Sequence, residues 1–215
     1  MKTSLLIASL LSSSSSIPGY LAVATNWASG VLPFGPTELT QSDPTKQPTL
    51  TGDFLEFTTN DYLSTTDTNL LDILLSAEYE VSVLYKPAAG ALVDGYIWSA
   101  GSTAINNENT LQLRALSSGQ LRFLIDGNVG SGASSFTTSM TAMTAGSEYL
   151  ITVVYSGSSV IIRVNGVAEV GGITGSAHTG ALPVDMDTFT VGARQMISQT
   201  NFMSGGIKMV EVVAL

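Results

Sequence analysis

The chain has 215 residues, no cysteine, one histidine and a formal net charge of -9. Without cysteine it can form neither a disulfide framework nor a thiolate metal site, and its eight Lys and Arg residues form no basic patch for nucleic acid or an anionic membrane. The length suits one sandwich domain of about 150–180 residues plus an extension.

The chain opens with an apolar segment whose single charge is Lys2. Its apolar run, Leu5 to Leu11, resembles the core of a signal peptide, and an exported form would be cleaved near Ala24. The run is at the lower limit of length for such a peptide, so we expect an uncleaved arm that becomes ordered by packing on a partner. The residues predicted to anchor the assembly are Leu5, Leu6, Ile7, Leu10, Leu11, Trp27 and Phe34.

Residues 17–52 contain five of the seven prolines, which disfavours a long helix or a central strand. We therefore predict an N-terminal arm and Pro/Gly-rich linker over residues 1–52 and a sandwich over residues 53–215. Trp27 and Phe34 would lay the linker on the sandwich or on a neighbour, because large aromatics dominate buried contact area.

Residues 38–80 hold nine acids against Lys46 alone. This acidic block is interpreted as a solvated surface, with a docking face for a basic partner or a cation site as the alternatives.

Short alternating segments separated by turn residues follow from residue 53 onward, which predicts an all-β protein. Residues 69–75 have helical spacing but are predicted to form only a single turn, because the segment is short. The predicted strands are 54–57, 80–86, 96–100, 110–116, 120–126, 134–139, 149–155, 160–165, 189–192 and 205–213.

The segment Glu148 to Gly166 predicts a hairpin, because two Val/Ile/Tyr-rich runs flank a Ser-Gly-Ser-Ser turn. Tyr149, Ile151, Val153 and Tyr155 share one face. Asn165-Gly166 then predicts a type I′ turn into a third strand, since both residues tolerate positive φ.

This hairpin, together with Phe189-Thr-Val-Gly192 and the closing strand from Gly205, resembles the laminin-G-like, concanavalin-A-like family. The resemblance implies a two-sheet antiparallel jelly-roll sandwich. The apolar, Ser-rich start followed by a linker and such a sandwich also resembles structural proteins of tailed bacteriophages.

Catalytic residues are sparse. The carboxylate pairs that a glucanase would need are represented only by Glu78 with Glu80 and Asp185 with Asp187, both interpreted as solvated acids. His178 is the single histidine and is interpreted as a polar loop residue. No enzymatic activity is predicted.

No cofactor is predicted, although calcium needs only oxygen ligands, which residues 106–109 and 126–128 offer. Ordinary turn chemistry also explains both stretches. Tyr96 and Trp98, two apart on one strand, are the candidates for glycan contact, with core packing as the alternative for Trp98.

The leading prediction is a non-enzymatic bacteriophage virion protein, such as a capsid decoration or a head or tail fibre component, that binds other virion proteins and forms a homo-oligomer such as a trimer. The alternative is a carbohydrate-binding adhesion module that is exported to the cell surface and recognises a host glycan.

Overall fold

The computed structural model describes residues 19–90, 92–104, 110–126, 133–138, 142–157, 159–169, 171–175, 183, 185–194 and 201–215. The predicted anchors Leu5, Leu6, Ile7, Leu10 and Leu11, the loop residues 106–109, and His178 lie outside these ranges.

Seventeen strands, one α-helix and two short 3-10 helices (Ala24–Asn26 and Pro44–Lys46) make up the regular structure of the described residues. The helix is α1 (Thr68–Leu74). The strands are β1 (Tyr20–Val23), β2 (Val31–Phe34), β3 (Thr37–Thr40), β4 (Thr49–Thr51), β5 (Phe54–Phe57), β6 (Leu63–Thr65), β7 (Glu78–Pro87), β8 (Gly95–Gly101), β9 (Thr110–Ala115), β10 (Leu121–Asp126), β11 (Ala133–Thr138), β12 (Tyr149–Ser156), β13 (Ser159–Val164), β14 (Val167–Ala168), β15 (Gly171–Gly175), β16 (Thr188–Val191) and β17 (Gly205–Ala214).

The strands form two antiparallel sheets. The eight-stranded sheet has the order β14-β13-β12-β7-β17-β5-β4, with β1 also paired to β17. The nine-stranded sheet has the order β15-β11-β10-β9-β8-β16-β6-β3-β2. The predicted all-β, two-sheet antiparallel jelly-roll sandwich is therefore confirmed.

Alternation along each strand places apolar side chains between the sheets. On β10, Leu121, Phe123 and Ile125 are buried, whereas Arg122 and Asp126 on the opposite face are partly exposed. The predicted hairpin behaves in the same way, with Ile151, Val153 and Tyr155 of β12 in the core.

The Asn165-Gly166 turn has positive φ at both residues, 52° and 82°. The Asn165 side chain adds a hydrogen bond, because its Oδ1 accepts from the Leu150 backbone N–H at 2.9 Å. The turn joins β13 to β14, as predicted.

The predicted linker differs from what the structure shows, because β1 to β4 lie within residues 20–51 and pair with strands of both sheets. Proline is tolerated here because β2, which contains Pro33, is the edge strand of the nine-stranded sheet. Phe34 is fully buried in the core and stacks on Phe189 at 5.9 Å, so it is not available to a neighbouring molecule. Trp27 is partly buried against the same core.

β1 is an internal part of the sandwich. It pairs with β17, and Tyr20 and Ala22 are buried. Cleavage near Ala24, as predicted for an exported form, would remove this strand. Any processing compatible with the fold must fall before β1.

The segment predicted as a single turn is a seven-residue helix, α1. Asp67 caps its first turn by accepting from the Leu70 N–H at 2.9 Å, and Leu70, Leu71 and Leu74 are buried. The cap and the buried face stabilise a helix that would be too short to form alone. No helix among the described residues is long and apolar enough to span a membrane.

Candidate functional site

A β-bulge in β8 sets the geometry of the candidate site. Tyr96 lies opposite Arg114 of β9, but Trp98 lies opposite Leu113, so Ile97 is an extra residue between them. A bulge of this kind re-aims the side chains on either side of it. Tyr96 and Trp98 therefore face opposite sides of the nine-stranded sheet.

The prediction that Trp98 contacts a glycan is wrong. Trp98 is 0% exposed and lies in the core, with ring centroids 5.8 Å from Phe123 and 5.9 Å from Phe189. The alternative for this residue, core packing, is the correct one. The bulge invalidated the assumption that residues two apart share a face.

Tyr96 lies on the outer face of the nine-stranded sheet, within cation–π distance of two guanidinium groups. The Cζ atom of Arg114 is 5.5 Å from the Tyr96 ring centroid, and that of Arg194 is 5.8 Å from it. Both distances are within the range of cation–π attraction. Tyr96 therefore contacts both arginines and, at 5% exposure, presents little surface on which a sugar could stack.

Arg122 extends this group, because it lies directly opposite Arg114 in the pairing of β10 with β9. We call Tyr96, Arg114, Arg122 and Arg194 the arginine cluster. It contains three of the four arginines of a chain whose net charge is -9. Cations gathered on one face of an acidic protein favour an anionic ligand.

Arg114 is oriented from one side by Asp94. Its Nη2 donates to Asp94 Oδ2 at 2.5 Å, while Asp94 Oδ1 accepts from the Ser117 backbone N–H at 2.6 Å. The Ser117 hydrogen bond and the Arg114 charge hold the pKa of Asp94 below its usual range. Asp94 therefore stays ionised and ties down one end of the guanidinium.

Unpaired polar atoms concentrate at this site. The described residues include five buried side-chain N or O atoms without a hydrogen-bond partner, and three of them are Gln112 Oε1, Arg114 Nε and Arg194 Nε. Buried polar atoms are normally paired with protein groups or ordered water, and these three lack a protein partner.

Three acids of the two pairs, Glu78, Glu80 and Asp187, accept hydrogen bonds from neighbouring hydroxyl or amide groups. Glu78 and Glu80 lie on β7 in the other sheet, where each accepts a hydrogen bond from a serine. Asp187 accepts from the backbone N–H of Thr103 at 3.0 Å and from its hydroxyl at 2.7 Å, so it joins two loops. The described residues contain no group of three or more His, Cys, Asp or Glu suited to a metal.

The arginine cluster was not predicted, although the sequence contains a pattern that indicates the position of two of its arginines. Arg114 and Arg122 alternate with buried residues on two strands joined by a short turn, which places both on the outer face. Arg194 is distant in sequence, and only the pairing of β8 with β16 brings its segment near Tyr96.

No protein-family model matches the sequence, and no curated protein matches it significantly. Solved structures do resemble the fold. The CBM40 of Ruminococcus gnavus IT-sialidase, bound to alpha2,3 sialyllactose, aligns with a TM-score of 0.64 and 10% identity over 79% of this chain and 93% of that one.

Two larger enzymes share the fold. The NanB sialidase of Streptococcus pneumoniae aligns with a TM-score of 0.59 and 16% identity over 78% of this chain and 26% of that one. The leech intramolecular trans-sialidase aligns with a TM-score of 0.62 and 10% identity over 75% and 25%. This chain thus spans about a quarter of each enzyme. At these identities the likeness shows the jelly-roll fold, and the predicted bacteriophage context gains no support.

Proposed function

We propose that this chain is a non-catalytic carbohydrate-binding module that holds an acidic glycan against the arginine cluster. The observation that carries the proposal is the convergence of Arg114 and Arg194 on the Tyr96 ring, with centroid distances of 5.5 and 5.8 Å and with no partner for either Nε atom. Guanidinium groups bind carboxylates through paired hydrogen bonds, which makes arginine well suited to recognise an acidic sugar.

The similar fold supports the same ligand class. One structure of that fold is described as bound to alpha2,3 sialyllactose and another as bound to alpha2,6 sialyllactose. Sialyllactose carries a carboxylate, the group that the arginine cluster is suited to bind. We therefore infer a sialylated or similarly acidic glycan as the ligand, and a secreted or cell-surface location as the place where it is met.

The proposal replaces the virion interpretation, because the fold comparison and the arginine cluster both favour the carbohydrate-binding alternative. The N-terminal segment is compatible with export, provided that processing falls before β1.

Titration of the full chain with 3′-sialyllactose and with lactose, followed by calorimetry, tests the proposal. We expect binding of sialyllactose and weak or no binding of lactose, because only the acidic sugar engages the guanidinium groups. Arg194→Gln should weaken binding at least about tenfold, since a charge-assisted hydrogen bond is lost.

Arg163→Gln is the matched control, because Arg163 lies on β13 in the other sheet. It should bind like the unchanged chain. Equal losses in both variants, or no binding of either sugar, would contradict the proposal.

A further inference from the structure

Gln112 lies beside the arginine cluster, two residues before Arg114 on β9. On β9 it alternates with Leu111 and Leu113, so it shares the outer face with Thr110 and Arg114. It is opposite Ser99 of β8 and Leu124 of β10, and only 1% of its surface is exposed. A polar side chain at this depth needs hydrogen-bond partners.

One half of the Gln112 amide is satisfied. Its Nε2 donates to Thr110 Oγ1 at 2.6 Å, which directs the nitrogen towards Thr110 and leaves Oε1 on the other side. That oxygen has no partner. Thr110 is fully buried, so this hydrogen bond holds the amide in one orientation.

The neighbouring Arg114 also has one bonded and one unbonded polar group, but its unbonded group is a donor. Asp94 engages its Nη2, while Nε remains without a partner. Gln112 and Arg114 are two apart on the same face of one strand. An acceptor and a donor that both lack a protein partner therefore lie on one face of β9, two residues apart.

We propose that Gln112 is a specificity-determining residue whose Oε1, together with Arg114 Nε, binds a hydroxyl group of the acidic glycan. This inference rests on the proposed function. A hydroxyl can accept from the guanidinium N–H and donate to the amide oxygen at the same time. A carboxylate or a sulfate cannot, because neither has a proton to donate.

Gln112 and Arg114 would therefore recognise a hydroxyl group on the ligand, which attraction between charges alone does not distinguish. The arginine cluster favours any small anion, whereas Gln112 selects an anion that presents a hydroxyl beside its charge. A site built to hydrogen-bond a hydroxyl discriminates strongly against a ligand that lacks it, because its own buried polar groups then stay unpaired. The ligand class that satisfies both requirements is a polyhydroxylated sugar acid.

The test compares two probes, 3′-sialyllactose and acetate, on the full chain. Gln112→Met removes the acceptor while keeping the side-chain length. We expect it to weaken sialyllactose binding about tenfold, which is the loss of one buried hydrogen bond, and to leave the competition constant of acetate unchanged. Thr110→Val frees the Gln112 amide to rotate. It should weaken the binding of sialyllactose, but by less than Gln112→Met does, and it should also leave the competition constant of acetate unchanged.

Gln41→Met is the matched control, because Gln41 is also buried but its side chain donates to the Tyr62 carbonyl and accepts from the Asp43 N–H instead. Equal weakening of both probes by Gln112→Met would show a merely structural role and overturn the inference, as would unchanged binding of both. If Gln112→Met does not fold, Thr110→Val provides the test, through the same comparison between its effect on sialyllactose binding and its effect on acetate binding. Failure of the unchanged chain to bind sialyllactose would instead overturn the proposed function and this inference together.

Discussion

Arg114 and Arg122 lie directly opposite each other on β9 and β10. Side chains in such a position have Cβ atoms about 5 Å apart, and like charges there repel each other. The hairpin between them is short, with the Leu116 N–H bonded to the Gln120 carbonyl at 2.9 Å, so the two strands hold this register. Asp94 compensates part of this charge through its ion pair with Arg114 at 2.5 Å.

The first prediction concerns salt. Binding of 3′-sialyllactose should weaken several-fold between low and high sodium chloride concentration, because added ions screen the attraction between the cluster and a carboxylate. Arg122→Gln should bind more weakly at low salt and show a flatter salt dependence. Calorimetric titrations at a series of salt concentrations measure both slopes. Parallel slopes for the two proteins would exclude Arg122 from the site.

The second prediction concerns the N-terminus. A chain beginning at Gly19 should fold, whereas one beginning at Thr25 should not, because the second lacks β1. Tyr20 contacts Phe34 at 5.3 Å and donates to Asp67 at 2.6 Å, so its loss also removes support from the cap of α1.

Circular dichroism and thermal melting of the two truncated chains provide the measurement. Cooperative melting of both at the same temperature would show that β1 contributes nothing to the sandwich. Intact-mass analysis of the exported protein should likewise find no cleavage after Tyr20.

The third prediction concerns Gly192, which follows β16 and supports the bulge by donating to the Ile97 carbonyl at 3.0 Å. Its φ is +89°, and a Cβ atom there would overlap the Phe57 ring. Gly192→Ala should therefore destabilise the protein by more than about 3 kcal/mol in urea unfolding, because strain and overlap add. It should also impair glycan binding.

Gly146→Ala is the control for backbone strain alone. Gly146 has a similar φ of +76° but has nothing within 4 Å of the added Cβ. Its substitution should cost about 1 kcal/mol. Equal costs for the two variants would mean that the contact with Phe57 is easily relieved.

The fourth prediction concerns pH. Burial, and secondarily the Glu80 carboxylate, raise the pKa of Glu211 above its ordinary value of 4.5. Folding therefore favours the protonated form, so this group's contribution to stability is fully present below the ordinary pKa and is lost as the pH rises through the raised value. We expect Glu211→Gln to raise the melting temperature by a few degrees at pH 7.

The gain should shrink as the pH falls and vanish near about pH 4, where Glu211 is protonated in both the folded and the unfolded states. Glu78→Gln, at an exposed position on the same sheet, should show no comparable gain at pH 7. A gain for Glu211→Gln that is independent of pH would point to packing instead of charge.

Local patterns in the sequence suffice to predict the fold class and the face of most strand residues. Alternation of apolar and polar side chains is a local property, so the buried faces of β10 and β12 and the Asn165-Gly166 turn could be predicted from it. The outward direction of Arg114 and Arg122 follows from the same alternation.

The position of the candidate site depends on long-range contacts. The bulge at Ile97 depends on contacts from Gly192 and Asn201, both distant in sequence, and it turns Tyr96 away from Trp98. Pairing between β8 and β16 then brings the segment of Arg194 to the same place. This register and strand order arise from long-range packing, which no local sequence pattern encodes. They bring arginines that are distant in sequence into one cluster.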